Sequence, residues 1–96
     1  MEQAISFLKR FRFDDSEIQS IFNICDMIQH TKVDEMVDNC NLLVKFGFPK
    51  TELDFLIKSN PQFLVLDAKS LERNLKDLVK NGEDLEELLL SNPYLI

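Results

Sequence analysis

The chain is poor in the residues that interrupt or cross-link structure: 96 residues include two glycines, three prolines and two cysteines. So few chain breakers leave little room for long irregular loops. Cys25 and Cys40 form no C-x-x-C pair, and two cysteines are too few for the disulfide framework of a small secreted domain. Both lie on apolar stripes, which predicts buried free thiols. The longest apolar runs, at 63–66 and 88–90, fall far short of the roughly 20 residues that a membrane span needs. Strand-like alternation is missing as well. His30 is the only histidine, and no G-x-S-x-G, P-loop or H-E-x-x-H motif occurs. The pairs Asp14-Asp15 and Glu86-Glu87 lack the spacing of a calcium or magnesium loop. No catalytic residue, metal, cofactor or small-molecule substrate is therefore expected, and the chain reads as a non-enzyme. Met1-Glu2-Gln3 opens neither a basic leader nor an apolar signal, so the expected location is cytoplasmic.

What is present suits one small folded domain over residues 1–96: 45% of the residues are apolar and 29% are charged. Net charge is -6, and it is unevenly spread. Residues 1–36 hold four basic and seven acidic side chains, 37–66 three of each, and 67–96 four and seven. That balance argues against a protein devoted to non-specific binding of phosphate backbones, while leaving room for one local basic face.

The strongest positive signal is internal. Shifted by 35 residues, Phe11, Phe13, Glu17, Ile18, Ile21 and Phe22 fall on Phe46, Phe48, Glu52, Leu53, Leu56 and Ile57. Met36, Cys40, Leu43, Val44, Lys45 and Gly47 fall likewise on Leu71, Leu75, Leu78, Val79, Lys80 and Gly82. After a three-residue deletion the offset becomes 32, where Leu53, Leu56, Ser59, Asn60 and Pro61 meet Leu85, Leu88, Ser91, Asn92 and Pro93. Periods of this length mark helical repeats.

Apolar spacing predicts six helices in three pairs, with approximate units 1–30, 31–66 and 67–96. The first helix covers about 2–10. The second follows the cap signal at Asp14 with Glu17 three positions on, and runs to about Gln29 through Ile18, Ile21, Phe22, Cys25 and Ile28. Thr31-x-x-Asp34 offers a weaker cap for the third, which ends at Gly47. Pro49 sits near the first turn of the fourth, and Pro61 stops it. The segment 61–66 is too short and apolar for a solvent loop, so it is read as a buried turn beneath the pair. Asp67 caps the fifth helix, Asn81-Gly82 ends it, and the sixth covers about 83–91 before Asn92-Pro93 repeats Asn60-Pro61. The fold expected is an all-α, right- or left-handed solenoid with short proline-started turns. Its two alanines, Ala4 and Ala68, are too few for the closely packed tetratricopeptide-type pair.

The stretch from Leu43 to Leu64, with Phe46-Gly47-Phe48, a second amphipathic helix and Pro61-Gln62-Phe63-Leu64, resembles the repeat of the mitochondrial transcription termination factor (mTERF) family. Residues 67–96 match again through Leu71, Asn74, Leu75, Leu78, Gly82 and Pro93. Residues 4–28 match more loosely, with Arg12 in the glycine position and Asp26 in the proline position. The resemblance implies units stacked in a curved superhelix whose inner face binds nucleic acid, usually double-stranded.

Two kinds of candidate site follow. Lys69, Arg73, Lys76 and Lys80 lie within about 60 degrees on one helix face, and Arg10, Lys45 and Lys80 share one repeat position, so stacking would align them as a row that could follow phosphates. Each of those three also lies near a helix C-terminus, where a cation matches the dipole. Asp34, Asp38 and Asn41 occupy the third-helix positions of Lys69, Arg73 and Lys76, which interrupts the basic surface. The second candidate is the apolar end Tyr94-Leu95-Ile96, which either folds under the last helix or offers an edge for a protein partner or a homo-oligomer.

Overall fold

The computed structural model describes residues 2–96. Met1 lies outside them. Its α-helices are α1 (Glu2–Lys9), α2 (Asp15–Ile24), α3 (Val33–Lys45), α4 (Leu53–Ser59), α5 (Ala68–Val79) and α6 (Leu85–Ser91). Each pair is followed by a 3-10 turn, at Asp26–His30, Pro61–Val65 and Pro93–Leu95, and a further 3-10 turn at Lys50–Glu52 leads into α4. Among the described residues there is no strand, and no helix is long and apolar enough to cross a membrane.

The units repeat in backbone as well as in sequence. Cys25, Asn60 and Asn92 follow α2, α4 and α6 with φ/ψ of -140/87, -146/74 and -147/92, so the chain leaves each second helix in the same direction. The second helix thus ends at Ile24 rather than about Gln29. Ile28 kept the apolar spacing of a helix, but the same spacing also fits a short 3-10 turn whose Ile28 is wholly buried. The first unit therefore has a closing turn despite Asp26 standing where the others have proline. Thr31 does not cap α3: its hydroxyl donates to the Met27 carbonyl at 2.7 Å, and Lys32 precedes the helix without a side-chain cap. Asp14 and Asp67 cap as expected, Asp14 with a reciprocal bond from its own N–H to Glu17. The Glu17 carboxylate consequently serves two partners, since Lys58 Nζ of α4 donates to it at 2.8 Å.

Each first helix ends in a residue of positive φ: Arg12 at 68°, Gly47 at 105° and Gly82 at 78°. The reversal gives the following phenylalanine, Phe13 or Phe48, a buried position. At Arg12 this conformation costs on the order of 1–2 kcal/mol, because its Cβ crowds the carbonyl where a glycine has no such atom.

First helices pack on first helices (α1 on α3, α3 on α5), α2 packs on α4, and the first closing turn packs on the second, in a body of 40 × 23 × 19 Å. One apolar cluster runs through all three units, from Ala4, Phe7 and Leu8 to Leu85 and Leu89. Ala4 is buried within it. Two polar side chains are buried too. Asn39 (1% exposed) donates its amide to the carbonyls of Phe63, Leu64 and Leu66 at 3.0, 3.2 and 2.9 Å, sharing two hydrogens among three acceptors. It thereby fastens α3 to the closing turn of its own unit. Asn60 (2% exposed) donates to Pro93 O at 2.9 Å and Ile96 O at 3.4 Å, and so fastens one unit to the turn of the next. Cys25 plays the corresponding part at the first junction, its thiol 3.5 Å from Gln62 Oε1. Both thiols are buried and free. Burial pushes that of Cys40 up to about 12, and it also raises that of Cys25.

Candidate functional site

The outer surface of the first helices is where the cations gather, because their leucine stripes must face the second helices and turns. Two grooves run there. One, between α1 and α3, is lined by Glu2, Gln3, Ser6, Phe7, Arg10, Lys32, Val33 and Asp34. The other, between α3 and α5, is lined by Asp38, Asn41, Leu42, Lys45, Ala68, Lys69 and Glu72. Repeat-equivalent positions form the two grooves, so each is the seam between successive first helices. Arg10, Lys45 and Lys69 thus line a common surface, while Arg73, Lys76 and Lys80 continue on the exposed outer side of α5.

The cations are not equally free. Lys45 Nζ lies 3.7 Å from Glu72 across the α3–α5 seam and 5.8 Å from the centre of the Phe46 ring, so part of its charge is spent within the protein. Among the described residues, no salt bridge engages Arg10, Lys69, Arg73, Lys76 or Lys80. Lys69, Arg73 and Lys76 of α5, and Lys80 just after it, therefore stand in solvent without a carboxylate partner among the described residues, on a helix whose opposite side buries Leu71 and Leu75. Lys58 is the reverse case. Its hydrogen bond to Glu17 raises its pKa and lowers that of the carboxyl.

Sequence reasoning missed two basic residues. Lys32 shares the first groove with Arg10, and its position before α3, equivalent to the capping Asp67, gave no hint of that. Arg12 is exposed beside Arg10 at the αL turn. An arginine in a glycine position was the available signal.

The C-terminal candidates divide. Ile96 packs against the core, whereas Tyr94 (70% exposed) and Leu95 (40%) lie open on the last turn. Comparison between units explains why. Leu56 and Phe63 of the second unit are wholly buried, but their equivalents Leu88 and Leu95 are only partly covered. Leu78, equivalent to the buried Leu43, is likewise half-open. Around them other apolar positions have become polar: Asp77 replaces Leu42, Asn81 replaces Phe46, and Glu83 follows Gly82 where Phe48 follows Gly47. The outward face of the last unit is thus polar in part and apolar on the remainder. Glu83, Asp84, Glu87, Leu88, Ser91, Asn92 and Leu95 line a groove there.

No group of three or more histidine, cysteine or carboxylate side chains among the described residues comes together as a metal site. The mTERF family model matches residues 1–95. No curated protein and no solved structure matches the chain.

Proposed function

From the premise that this chain belongs to the mTERF family of helical-repeat proteins, we propose that it is a non-catalytic module that binds duplex nucleic acid through the outer face of α5. The observation that carries this reading is the stripe Lys69, Arg73, Lys76 and Lys80: four exposed cations on one side of one helix, none in a salt bridge. Arg10 and Lys45 extend the surface along the first-helix seams. Lys45, held by Glu72, contributes less than Arg10.

Positive side chains spaced along a helix meet phosphate oxygens and release condensed counterions, so affinity should depend steeply on salt and weakly on sequence. With about four cations engaged, log affinity should fall against log salt with a slope of about -4. Titrating labelled duplex DNA and duplex RNA at increasing salt tests this, beside a variant carrying Lys69→Glu and Arg73→Glu. Binding that weakens with salt and is lost in the variant supports the reading. No binding of either duplex by the unaltered chain at low salt would eliminate it.

A further inference from the structure

The outer side of the second helices differs in chemistry from that of the first. Residues 14–30, 49–66 and 83–96, which hold the second helices and their closing turns, carry two basic and ten acidic side chains, against nine and seven in the rest of the chain. One of the two basic residues, Lys58, already donates to Glu17 across the α2–α4 seam. Yet this acidic side exposes large apolar side chains: Ile24 (53%), Met27 (59%), Phe55 (39%), Leu90 (38%) and Tyr94. Ile24 lies two turns beyond Glu17 on α2, and Phe55 one turn before Lys58 on α4, so the Glu17–Lys58 bond sets both beside one seam. Asp54 and Glu87 stand exposed near them, in no salt bridge among the described residues. This exposure does not depend on where the chain ends. Phe55 belongs to the second unit, which has a unit on each side. In that same unit Lys58 and Gln62, the equivalents of Leu90 and Tyr94, are exposed as well, so these positions face outward even where a further unit follows.

We infer that this side docks a basic amphipathic helix of another protein, with the apolar stripe of that helix on Ile24, Phe55 and Leu90 and its cations on Asp54 and Glu87. The surplus of carboxylates repels nucleic acid and anionic lipid, while apolar side chains set among carboxylates are matched by a segment that is both apolar and cationic. A second copy of this chain offers no such segment. Its cations gather on α1 and α5, and among the described residues neither helix exposes a large apolar side chain. The inference does not rest on nucleic-acid binding, which uses α5.

Fluorescence anisotropy of a labelled leucine–lysine peptide of about 18 residues, with leucines at i, i+3, i+4 and i+7 spacing, tests it. A scrambled peptide of the same composition lacks the stripe, and the unaltered chain should bind it about tenfold or more weaker. One variant, Ile24→Ser with Phe55→Ser, removes apolar contacts; a second, Asp54→Lys with Glu87→Lys, reverses charge. Each should weaken binding of the striped peptide about tenfold or more. Asp34→Lys with Asp38→Lys changes the net charge as much as the second variant does, but on α3, and should leave binding within about twofold. All six side chains are exposed, and circular dichroism checks that the helices persist. If either of the first two variants unfolds, the other decides. No binding by the unaltered chain, equal binding of the two peptides, or equal losses in the two charge variants overturns the inference. Folded serine or charge-reversed variants that bind as tightly as the unaltered chain overturn it too. Light scattering and vesicles of phosphatidylcholine with phosphatidylserine test the other occupants: a doubled mass, or vesicle binding, that is lost in the serine variant would assign this side to a second copy or to lipid and overturn the inference. None of these measurements uses nucleic acid, so they stand apart from the test of duplex binding.

Discussion

Helices α3 and α5 hold the same place in successive units, yet they use their side chains in opposite ways. Asn39 of α3 is buried and bonded to three carbonyls, while its equivalent Asn74 on α5 is exposed. Lys45 is drawn to Glu72, while its equivalent Lys80 has no carboxylate partner among the described residues. Asp38 and Asn41 on the one answer to Arg73 and Lys76 on the other. A helix with neighbours on both sides is committed to holding the stack, whereas α5 keeps Arg73, Asn74 and Lys76 exposed.

The comparison breaks most sharply at the asparagines. Replacing Asn39 by alanine leaves three carbonyls of the second closing turn without their donor and should cost about 3 kcal/mol, whereas Asn74→Ala should stay within about 0.5 kcal/mol. Urea unfolding midpoints of the two variants measure the contrast, and equal losses would contradict it. The turns after α1 and α3 give the next largest effect. No atom lies within 4 Å of a Cβ added at Gly47, so Gly47→Ala tests backbone strain alone and should destabilise by about 1–2 kcal/mol. Arg12→Gly should move in the other direction, by up to about 1 kcal/mol once the extra freedom of glycine in the unfolded chain is deducted. Thermal unfolding of both reads the sign. The smallest effect concerns the exposed pair of Glu17 and Lys58, which joins α2 to α4 but has no counterpart at the next junction, where Leu90 replaces Lys58. The Glu17 pKa is lowered by the Lys58 hydrogen bond first and the Asp14 N–H second. Its stabilisation is therefore fully present above the ordinary glutamate range and fades as pH falls through the lowered value. A Lys58→Met variant should lose a small part of that acid sensitivity in pH-dependent unfolding, with little change in the sign of the overall curve.

Much of this architecture was legible in the sequence because a repeat supplies its own alignment. Gly47 and Gly82 announced two turns, Asp14 and Asp67 announced two caps, and Pro61 and Pro93 announced two closing turns. The first unit concealed its matching features behind residues that do not advertise them: Arg12 adopts a glycine-like conformation, and Asp26 begins a turn without the ring that would force it. Recurrence of asparagine at 39 and 74, and at 60 and 92, was visible. What the amides hold was not, because their acceptors are main-chain carbonyls, which leave no mark on the sequence. The basic stripe of α5 could be placed by helical geometry alone. The loss of Lys45 to Glu72 could not, since it depends on how two helices 27 residues apart in sequence meet.

The asparagine clamps also give the stack a direction of unravelling. Asn60 reaches forward to the last turn, and Asn39 reaches across to its own. Peeling away residues 85–96 breaks only the first of these, whereas opening the second unit releases both. Local opening is therefore cheaper over residues 85–96 than in the second unit, so amide hydrogens of α6 should exchange before those of α3.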